Sequence, residues 1–463
     1  MIRQTKPKAN SLLALIAVLA AAHLSAAEGS PEGQPYADDP EIVKLIQAIP
    51  EGGSALLPEV RHLLDGQPIK LVGRSGPYSR DYTNRMAYAP DRQTALYCGG
   101  NHGMGRHNDV WEFHLGSNTW HCLFAAEGGD HATYKFALMF APRMFEKNPD
   151  LKLDEKQQKN FDDCAVWWKE NVILHEGNFV TKNRRGPLLV GHTWDTLVYD
   201  PIKKRLIQGT GAHCANSPWL HHKFTGENLD EIKSKFGKDK AGRPYRTMWT
   251  FDPNTRQWVP YAHDSELSIL RGMGATMIYV PDLKKIVYYV AAQNVSPNAL
   301  YMHAYDPATD TWENLKPNAG RGIFELAFKD KISPPSEQQT AYSTKDKKIV
   351  AVLHNTTFAY DVAKNEWSKL NDTVPLKASD AATVFAYDSN ADAFLLCDPR
   401  NGKLAAYSLS ANEWKEVTPA GPAMPKPPYC VGKGYYDPAH NAFVVQPASS
   451  SKMWLYRHKT TVK

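Results

Sequence analysis

The sequence predicts an all-β protein, a closed ring of six four-stranded antiparallel sheets that we call blades. Two repeated hairpins and an incomplete last repeat support this prediction. In the first hairpin an aromatic residue is followed by a turn and, seven residues later, by Trp, as in Tyr360 and Trp367. In the second, Tyr precedes a polar turn, and an apolar strand opens seven residues later, as in Tyr342 and Ile349. Because each hairpin supplies two strands, one copy of each makes a four-stranded meander.

The number of copies sets the number of blades. The Trp hairpin occurs five times, with the pairs Phe113 and Trp120, Phe251 and Trp258, Tyr305 and Trp312, Tyr360 and Trp367, and Tyr407 and Trp414. The Tyr hairpin occurs six times, with the pairs Tyr88 and Ala95, Tyr199 and Leu206, Tyr279 and Ile286, Tyr342 and Ile349, Tyr387 and Phe394, and Tyr436 and Phe443. A period of about fifty residues indicates one large repeat array rather than several ordinary domains.

The last repeat lacks its fourth strand, because the chain ends soon after Met453 to Tyr456. Gln67 to Gly73 is a short apolar stretch that precedes the first unit and has no sheet of its own. We therefore expect this N-terminal strand to complete the sixth blade, which would close the ring and remove its exposed edges. The predicted domains are a signal peptide (1–27), a lead with a short helix (28–66) and the propeller-like ring (67–463).

The N-terminus has the three parts of a secretory signal: basic Arg3, Lys6 and Lys8, the apolar run Leu12 to Leu24, and small residues ending at Ala27. This predicts a secreted or periplasmic protein, cleaved near Ala27, with no stable membrane span afterwards. The formal charge is +5 and includes those three cations, so the mature chain carries about +2, which gives no case for nucleic-acid binding. No Gly-rich phosphate loop precedes a helix.

The chain contains six cysteines, Cys98, Cys122, Cys164, Cys214, Cys397 and Cys430. An oxidising compartment would allow disulfides, but six cysteines permit fifteen pairings and their spacing selects none. They form no CxxC motif, so a structural zinc site is not indicated. The sequence likewise indicates no cofactor and no oligomeric state.

Three helices are predicted around the ring. Asp39 as N-cap and Pro40 as first residue begin a short helix in the lead, with Ile42, Val43, Leu45 and Ile46 on one side. Two insertions interrupt the repeats, at about 125–190 and 212–246. The first should contain a helix from about Asp154 to Leu174, and the second a helix over Asn228 to Phe236, with a capping box and a stop at Gly237. Insertions of this kind fall in loops, so we expect them to wall one side of a functional surface.

Blade one carries Tyr97-Cys98-Gly99-Gly100, then Asp109-Val110-Trp111 and Trp120. This pattern resembles the kelch-type β-propellers, and with the Trp hairpins the resemblance covers most of residues 67 to 459. The Gly pair is complete only in blade one, and Gly209-Thr210-Gly211 in blade two is a partial copy of it. The resemblance implies a six-bladed kelch-type β-propeller but no single function, since such propellers include oxidases, sugar isomerases, lyases and binding proteins.

The candidate site is predicted where the first strand of each blade begins and the second strand ends. These two points lie on the same face of the ring, because neighbouring strands of the meander are antiparallel. The residues predicted to act there are His192, Tyr82, His107, His213 and Arg271 as catalytic candidates and Arg80, Asn101, His102, Arg106, Asp380 and Tyr429 as substrate-binding candidates. His, Arg and Tyr dominate this predicted mouth, with most of the His in blades one and two. An extracellular glycan is the expected partner.

One hypothesis is β-elimination on a uronate-containing polysaccharide. This reaction needs a cation beside the carboxylate, a base for the α-proton and an acid for the leaving oxygen. Arg80 or Arg271 suits the first role, one of His102, His107, His192 and His213 the second, and Tyr82 the third. In residue type the set is similar to propeller-shaped polysaccharide lyases such as ulvan lyases, although those have more blades.

Two other hypotheses remain. A non-catalytic carbohydrate- or protein-binding propeller would use the same aromatic and Arg side chains without reaction. A copper-radical enzyme similar to galactose oxidase would use Tyr, His and a Tyr cross-linked to Cys, and would also need a further C-terminal domain. His102, His107 and His213 would suit zinc or copper, but their spacing selects no metal.

Overall fold

The fold was analysed in a computed structural model. It describes residues 34–69, 71, 76–77, 80, 83, 85–99, 107–127, 148, 150–188, 190–191, 193–209, 218–236, 248–261, 275–290, 302–319, 322–323, 326, 339–376, 383–425, 432–447 and 451–460. None of the helices in these ranges is long and apolar enough to cross a bilayer.

The described chain contains four α-helices and a series of short strands. The helices are α1 (Pro40–Gln47), α2 (Glu155–Asn171), α3 (Pro218–Thr225) and α4 (Leu229–Lys235). The strands are β1 (Gly53–Glu59), β2 (Arg61–Leu64), β3 (Gln67–Pro68), β4 (Ala87–Ala89), β5 (Thr94–Tyr97), β6 (Val110–His114), β7 (Thr119–Phe124), β8 (Val172–His175), β9 (Asn178–Thr181), β10 (Leu197–Asp200), β11 (Arg205–Gln208), β12 (Met248–Asp252), β13 (Gln257–Tyr261), β14 (Ala275–Val280), β15 (Lys285–Val290), β16 (Met302–Asp306), β17 (Thr311–Asn314), β18 (Gln339–Ser343), β19 (Lys348–Leu353), β20 (Thr356–Asp361), β21 (Glu366–Asn371), β22 (Val384–Asp388), β23 (Ala393–Asp398), β24 (Lys403–Ser408), β25 (Glu413–Val417), β26 (Gly432–Asp437), β27 (Ala442–Pro447) and β28 (Lys452–Arg457).

The strands form a six-bladed β-propeller, as predicted. Blade one is β4 to β7, blade two β10 to β13, blade three β14 to β17, blade four β18 to β21, blade five β22 to β25, and blade six β26 to β28 with β1. The first-named strand of each blade contacts the corresponding strand of the next blade, which places these six strands around the axis. The core lies within and between the blades, where large aromatic side chains such as Trp120, Tyr360 and Phe113 are fully buried.

Each blade has one row of residues that the repeats mark in the sequence. In blade four, Tyr342 pairs with Ile349, Ile349 with Tyr360, and Tyr360 with Trp367 across the four strands. The corresponding residues pair in the same way in the other complete repeats. In blade six Ser54 takes the place of the Trp. The spacing of seven residues thus predicted the register of every one of these hairpins.

The strand that closes the ring is not the one predicted. Gly53–Glu59 pairs antiparallel with Lys452–Arg457 and completes blade six. Gln67–Pro68 instead pairs with β2, which lies parallel to β7 on the outer edge of blade one. The ring therefore begins at Gly53. The prediction was wrong because Gly52, Gly53 and Pro58 made the true closing strand look like part of the lead, while strand pairing between distant segments has no local signature.

The lead is anchored to blade one through Tyr36. Asp39 caps α1 by accepting a hydrogen bond from the Glu41 amide, as predicted. Only Ile42 and Ile46 of the expected apolar side are buried, and Leu45 is exposed. Tyr36 stacks on His121 with 3.5 Å between ring centroids, and its hydroxyl donates to Glu112 at 2.8 Å. This part of the lead is thus held against the ring.

Both insertions contain the helices that were predicted, within a few residues. Asp154 and Gln157 form a capping box at α2, which ends at Asn171 because Val172 begins strand β8. Asn228 caps α4, but the Glu231 side chain contacts Lys235 rather than returning to the cap. The proposed stop at Gly237 lies outside the described residues. Helix α3 was not predicted.

We predict that substitutions in the two N-terminal stretches will have different effects on stability. Leu57 in the closing strand is 1% exposed, and Leu57→Ala should lower the free energy of unfolding by about 2–4 kcal/mol. Ile69→Ala, at the edge of blade one, should cost about 1 kcal/mol or less because its side chain is half-buried. Urea denaturation of the two variants measures the difference. An equal or larger effect at Ile69 would contradict closure by Gly53–Glu59.

Candidate functional site

One face of the propeller collects every loop that departs from the repeat. Each inner strand starts at this face, each second strand ends there and each outer strand ends there, because neighbouring strands within a blade are antiparallel. The first insertion joins β7 to β10, and the second joins β11 to β12. Both therefore leave and rejoin the ring at the same face, which we call the mouth face.

The two insertions pack together into one unit, which we call the cap. The cap has its own apolar core, formed by α2, β8, β9, α3 and α4. Trp168 of α2 donates from Nε1 to His221 Nδ1 of α3 at 2.8 Å, and Phe179 stacks on His221 with centroids 4.6 Å apart. The shared core makes the two insertions one structural unit, and their role as the wall of a functional surface stays a prediction.

The cap carries an aromatic side chain with two lysine ammonium groups near its ring. Trp219 of α3 is half-buried, and the ammonium groups of Lys223 and Lys233 lie 6.0 Å and 5.9 Å from its ring centroid. These distances are at the outer limit of a cation–π contact. Sequence analysis missed Trp219, because its neighbours on the cap come from two helices of which only one was predicted.

Arg80, predicted to bind substrate, is buried in blade one. Its side chain is 3% exposed and donates to Asp109 Oδ2 at 2.6 Å, to the carbonyl of Gly99 at 2.5 Å and to that of Gly76 at 3.0 Å. Burial alone would raise the pKa of Asp109, but the charge of Arg80 holds it below its usual value. In this arrangement Arg80 fixes the positions of the chain segments around the mouth.

Lys433 is a second buried basic residue beside Arg80. It comes from the start of β26 in blade six, is 3% exposed, and donates to the carbonyl of Pro77. Its Nζ lies 4.8 Å from the Tyr97 ring centroid and 5.6 Å from that of Trp120. Burial, with the nearby charge of Arg80, lowers the pKa of Lys433 well below its usual value. Burial therefore favours the neutral amine of Lys433, and the positive charge of this wall is that of Arg80, which is paired with Asp109.

His107 is the other predicted site residue that the structure describes. It is buried two residues before Asp109, and its charge contributes to the lowered pKa of that carboxyl group. His107 and Arg80 thus flank one carboxylate, which brings these two predicted residues together. The remaining predicted residues lie outside the described residues, and they are His192, Tyr82, His213, Arg271, Asn101, His102, Arg106, Asp380 and Tyr429.

At the axis, Arg85 joins several blades. Its guanidinium contacts Asp195 of blade two at 2.9 Å, donates to the Met277 carbonyl of blade three at 2.8 Å, and donates to the Thr340 carbonyl of blade four. Its backbone also bridges to Gly434 of blade six. The side chain therefore extends across the propeller axis, and the mouth has a polar floor at this level.

Asp195 is the acidic member of this axial cluster. Its carboxylate also accepts a hydrogen bond from the Thr276 hydroxyl, and the backbones of Asp195 and Thr276 form a parallel β-bridge. Burial raises the pKa of Asp195 to about 7, although the charge of Arg85 opposes the shift. A carboxyl group at this position can change its charge near neutral pH.

Sequence analysis missed the axial residues, although a signal for them exists. Three residues before each repeat Tyr, five of the six inner strands carry a polar side chain where a buried strand would favour an apolar one. The six residues are Arg85, Thr196, Thr276, Gln339, Val384 and Lys433. Aligning the repeats on Tyr and asking which column is polar would have found them.

Among the described residues, no three His, Cys, Asp or Glu side chains are grouped so as to hold a metal ion. The metal hypothesis involved His102 and His213, which fall outside that part of the chain. Cys98, Cys122, Cys164 and Cys397 are buried thiols, and none of these four forms a disulfide. Any metal or disulfide chemistry at the mouth would therefore involve other segments.

The comparisons with known proteins add no further identification. The chain matches no known protein family. No curated protein is significantly similar to it in sequence.

We predict that Asp195 makes stability depend on pH. Its pKa in the folded protein is about 7, against an ordinary value of 3.8, so protonation favours the fold. The stabilisation is complete below about pH 4 and is lost as the pH rises through about 7, by at most about 4 kcal/mol. Denaturation curves at several pH values should show this fall, and Asp195→Asn should flatten it.

The control is Asp163→Asn on the exposed face of α2, which should leave the pH profile unchanged. If wild type and Asp195→Asn show parallel profiles, the charge of Arg85 offsets the effect of burial and this prediction fails.

Proposed function

We propose that this protein is a secreted, kelch-type propeller that binds an acidic glycan at its mouth face. The observation that carries this proposal is the cap, where the ammonium groups of Lys223 and Lys233 lie 6.0 Å and 5.9 Å from the Trp219 ring centroid. An aromatic ring can stack on the apolar face of a sugar, and an ammonium beside it can pair with a carboxylate. The three side chains together match a saccharide that carries negative charge.

The buried basic groups beneath the mouth are balanced within the protein. Arg80 and Lys433 are buried near one another, and only the Asp109 carboxylate pairs with them among the described residues. Arg85 adds a cation on the axis, balanced by Asp195. The support for an anionic ligand therefore comes from the lysines of the cap and not from these buried groups.

Kelch type is supported by the contacts of the motif in blade one. Gly99 has a φ of +127°, and a Cβ there would lie 2.8 Å from the Thr83 side chain, so only glycine fits without a shift. Asp109 accepts a hydrogen bond from Trp111 Nε1 at 2.6 Å, and Trp120 packs on Phe113 with centroids 5.1 Å apart. These residues thus have structural reasons to occur together. The signal-like N-terminus supports secretion.

The catalytic form of the proposal is β-elimination. A base removes the proton α to the uronate carboxylate, the electron pair forms a carbon–carbon double bond, and the β carbon–oxygen bond breaks as an acid protonates the leaving oxygen. We assign His192 as base, Tyr82 as acid and Arg271 as the cation beside the carboxylate. Arg271 is preferred to Arg80 because the Arg80 guanidinium is already committed to Asp109, Gly76 and Gly99.

The binding proposal predicts that Trp219→Ala weakens binding of a uronate oligosaccharide by about tenfold or more, which corresponds to loss of about 1.4 kcal/mol. Isothermal titration of the full chain measures it. Trp167→Ala is the matched control, since Trp167 is also a half-buried Trp on the cap but lies on α2. Equal affinities for wild type and Trp219→Ala would overturn the proposed site.

The catalytic proposal predicts that His192→Ala and Tyr82→Phe each lower the release of unsaturated product by about a hundredfold or more, the usual contribution of a general base or acid. Product is followed by the ultraviolet absorbance of the new double bond. His458→Ala and Tyr279→Phe, near the opposite face, serve as controls and should retain activity. If the wild-type chain binds the polymer but releases no unsaturated product, the catalytic form is wrong and the binding proposal stands.

A further inference from the structure

A groove lies on the outer rim of the propeller, between blades one and two and away from the axis. We call it the rim groove. It has a volume of about 700 Å³ and is lined by β13, the β2–β3 turn, His175 and the turn after β9. This volume falls within the range of about 300–1,000 Å³ that is common for small-molecule sites. None of the residues proposed for the mouth lines it.

The groove is rich in cationic side chains. Arg184, Arg185 and Arg256 line it, with His175 beside them, against the two acids Asp65 and Glu176. Arginine presents planar pairs of N–H groups that fit a carboxylate or sulfate group with two parallel hydrogen bonds. The residue content of this surface therefore favours an oxyanion.

Two of the arginines are held in place by neighbours. The guanidinium of Arg184 stacks on Phe124 at 3.6 Å from its centroid and contacts Glu127 at 3.0 Å. Arg256 pairs with Asp65 across the groove. These contacts order the walls, but they also neutralise both charges, so neither arginine is the main candidate for a ligand.

Arg185 differs from the other two. No carboxylate of the described residues lies within salt-bridge distance of its guanidinium, and the closest polar group recorded for it is His175 Nε2, 3.5 Å from Nη1. Arginine can only donate, so His175 Nε2 accepts this contact, and Glu176 Oε1 lies 3.8 Å from the same nitrogen. Of the groups that line the groove, the Arg185 guanidinium is therefore the one positioned to donate to an anion.

The backbone at Arg185 is in a left-handed turn. Its φ is +57°. The turn from Thr181 to Gly186 fixes this conformation, since the Arg185 amide bonds to the Thr181 carbonyl at 2.9 Å and the Thr181 amide to the Gly186 carbonyl at 3.0 Å. Glycine would fit this position with less strain, although residues such as Lys204 and Arg256 adopt the same conformation at other turns of the chain.

We propose that the rim groove is a second binding site, in which Arg185 holds an oxyanion group of an acidic saccharide. The group is either a uronate carboxylate or a sulfate ester, because both match the paired donors of arginine. The site uses none of the residues proposed for the mouth, although His175 and Arg185 belong to the same insertion that helps to form the cap. An extended polymer could contact both, which would raise its overall affinity.

The test is isothermal titration of the full chain with a uronate oligosaccharide, a sulfated oligosaccharide and inorganic sulfate. Arg185→Glu should weaken binding of one oligosaccharide by about tenfold or more, since an attractive charge becomes repulsive. Lys182→Glu is the matched control: it makes the same charge change three residues away, at an exposed position that does not line the groove. It should change the affinity less than about twofold.

Arg185→Gly separates binding from folding. This variant should lose binding as Arg185→Glu does, yet its melting temperature should equal or exceed that of wild type because the left-handed backbone is relieved. The oligosaccharide that loses affinity identifies the group as uronate or sulfate ester. The proposal is overturned if Arg185→Glu and Lys182→Glu have equal effects, or if inorganic sulfate binds and neither oligosaccharide does.

The outcomes for the two sites are distinguishable. Trp219→Ala changes the proposed mouth site and Arg185→Glu changes the rim groove. Each variant should therefore reduce the heat of binding that comes from its own site and leave that of the other site unchanged. An effect of Arg185→Glu together with none of Trp219→Ala would reject the mouth proposal and support the rim groove. The converse would reject the rim groove alone.

Discussion

The propeller depends on the pairing of β1 with β28. Every other strand contact within a blade joins neighbours in the sequence, apart from the two short strands added to blade one. Closure joins residues 53–59 to residues 452–457. It is reinforced around the seam, where Arg457 donates to the Ile49 carbonyl at 2.6 Å and Ser54 Oγ to the Pro422 carbonyl at 2.9 Å. The axial cluster requires this closure, since Arg85 reaches other blades only when the inner strands form a ring.

Within each blade, the hairpin turn fixes the register. Five residues after each repeat aromatic, the chain adopts a left-handed conformation in all eleven repeat hairpins. These positions are Gln93, Asn118, Lys204, Arg256, Lys284, Asp310, Lys347, Asn365, Asp392, Asn412 and Asn441. Where the aromatic is Tyr and the turn residue is Asn, the hydroxyl donates to the Asn side chain, as from Tyr360 to Asn365 at 2.8 Å and from Tyr407 to Asn412 at 2.8 Å. The ring that packs the blade thus also holds its turn.

The parts that do not repeat are concentrated in blades one and two. The cap, the buried basic residues Arg80 and Lys433, and the rim groove all involve one or both of these blades. A repeat array allows this, because its stability comes from regular rows of packed residues and its loops are free to vary. In our proposals the cap and mouth contact an acidic glycan from one face, while the rim groove holds a charged group of such a ligand at the outer edge.

The sequence by itself determined the local structure. Turn residues and aromatic spacing act over about a dozen residues, and they specified blade number, hairpin register and the helices α1, α2 and α4. Only the tertiary structure decided which N-terminal strand closes the ring, since pairing between segments some four hundred residues apart depends on the completed ring and leaves no local pattern. It likewise decided that Arg80 is committed to Asp109, that Arg85 crosses the axis, and that Trp219 meets lysines from two helices. Each of these contacts joins residues that are brought together only by packing, so spacing along the chain could mark a residue, as the polar column marks Arg85, but not its partners.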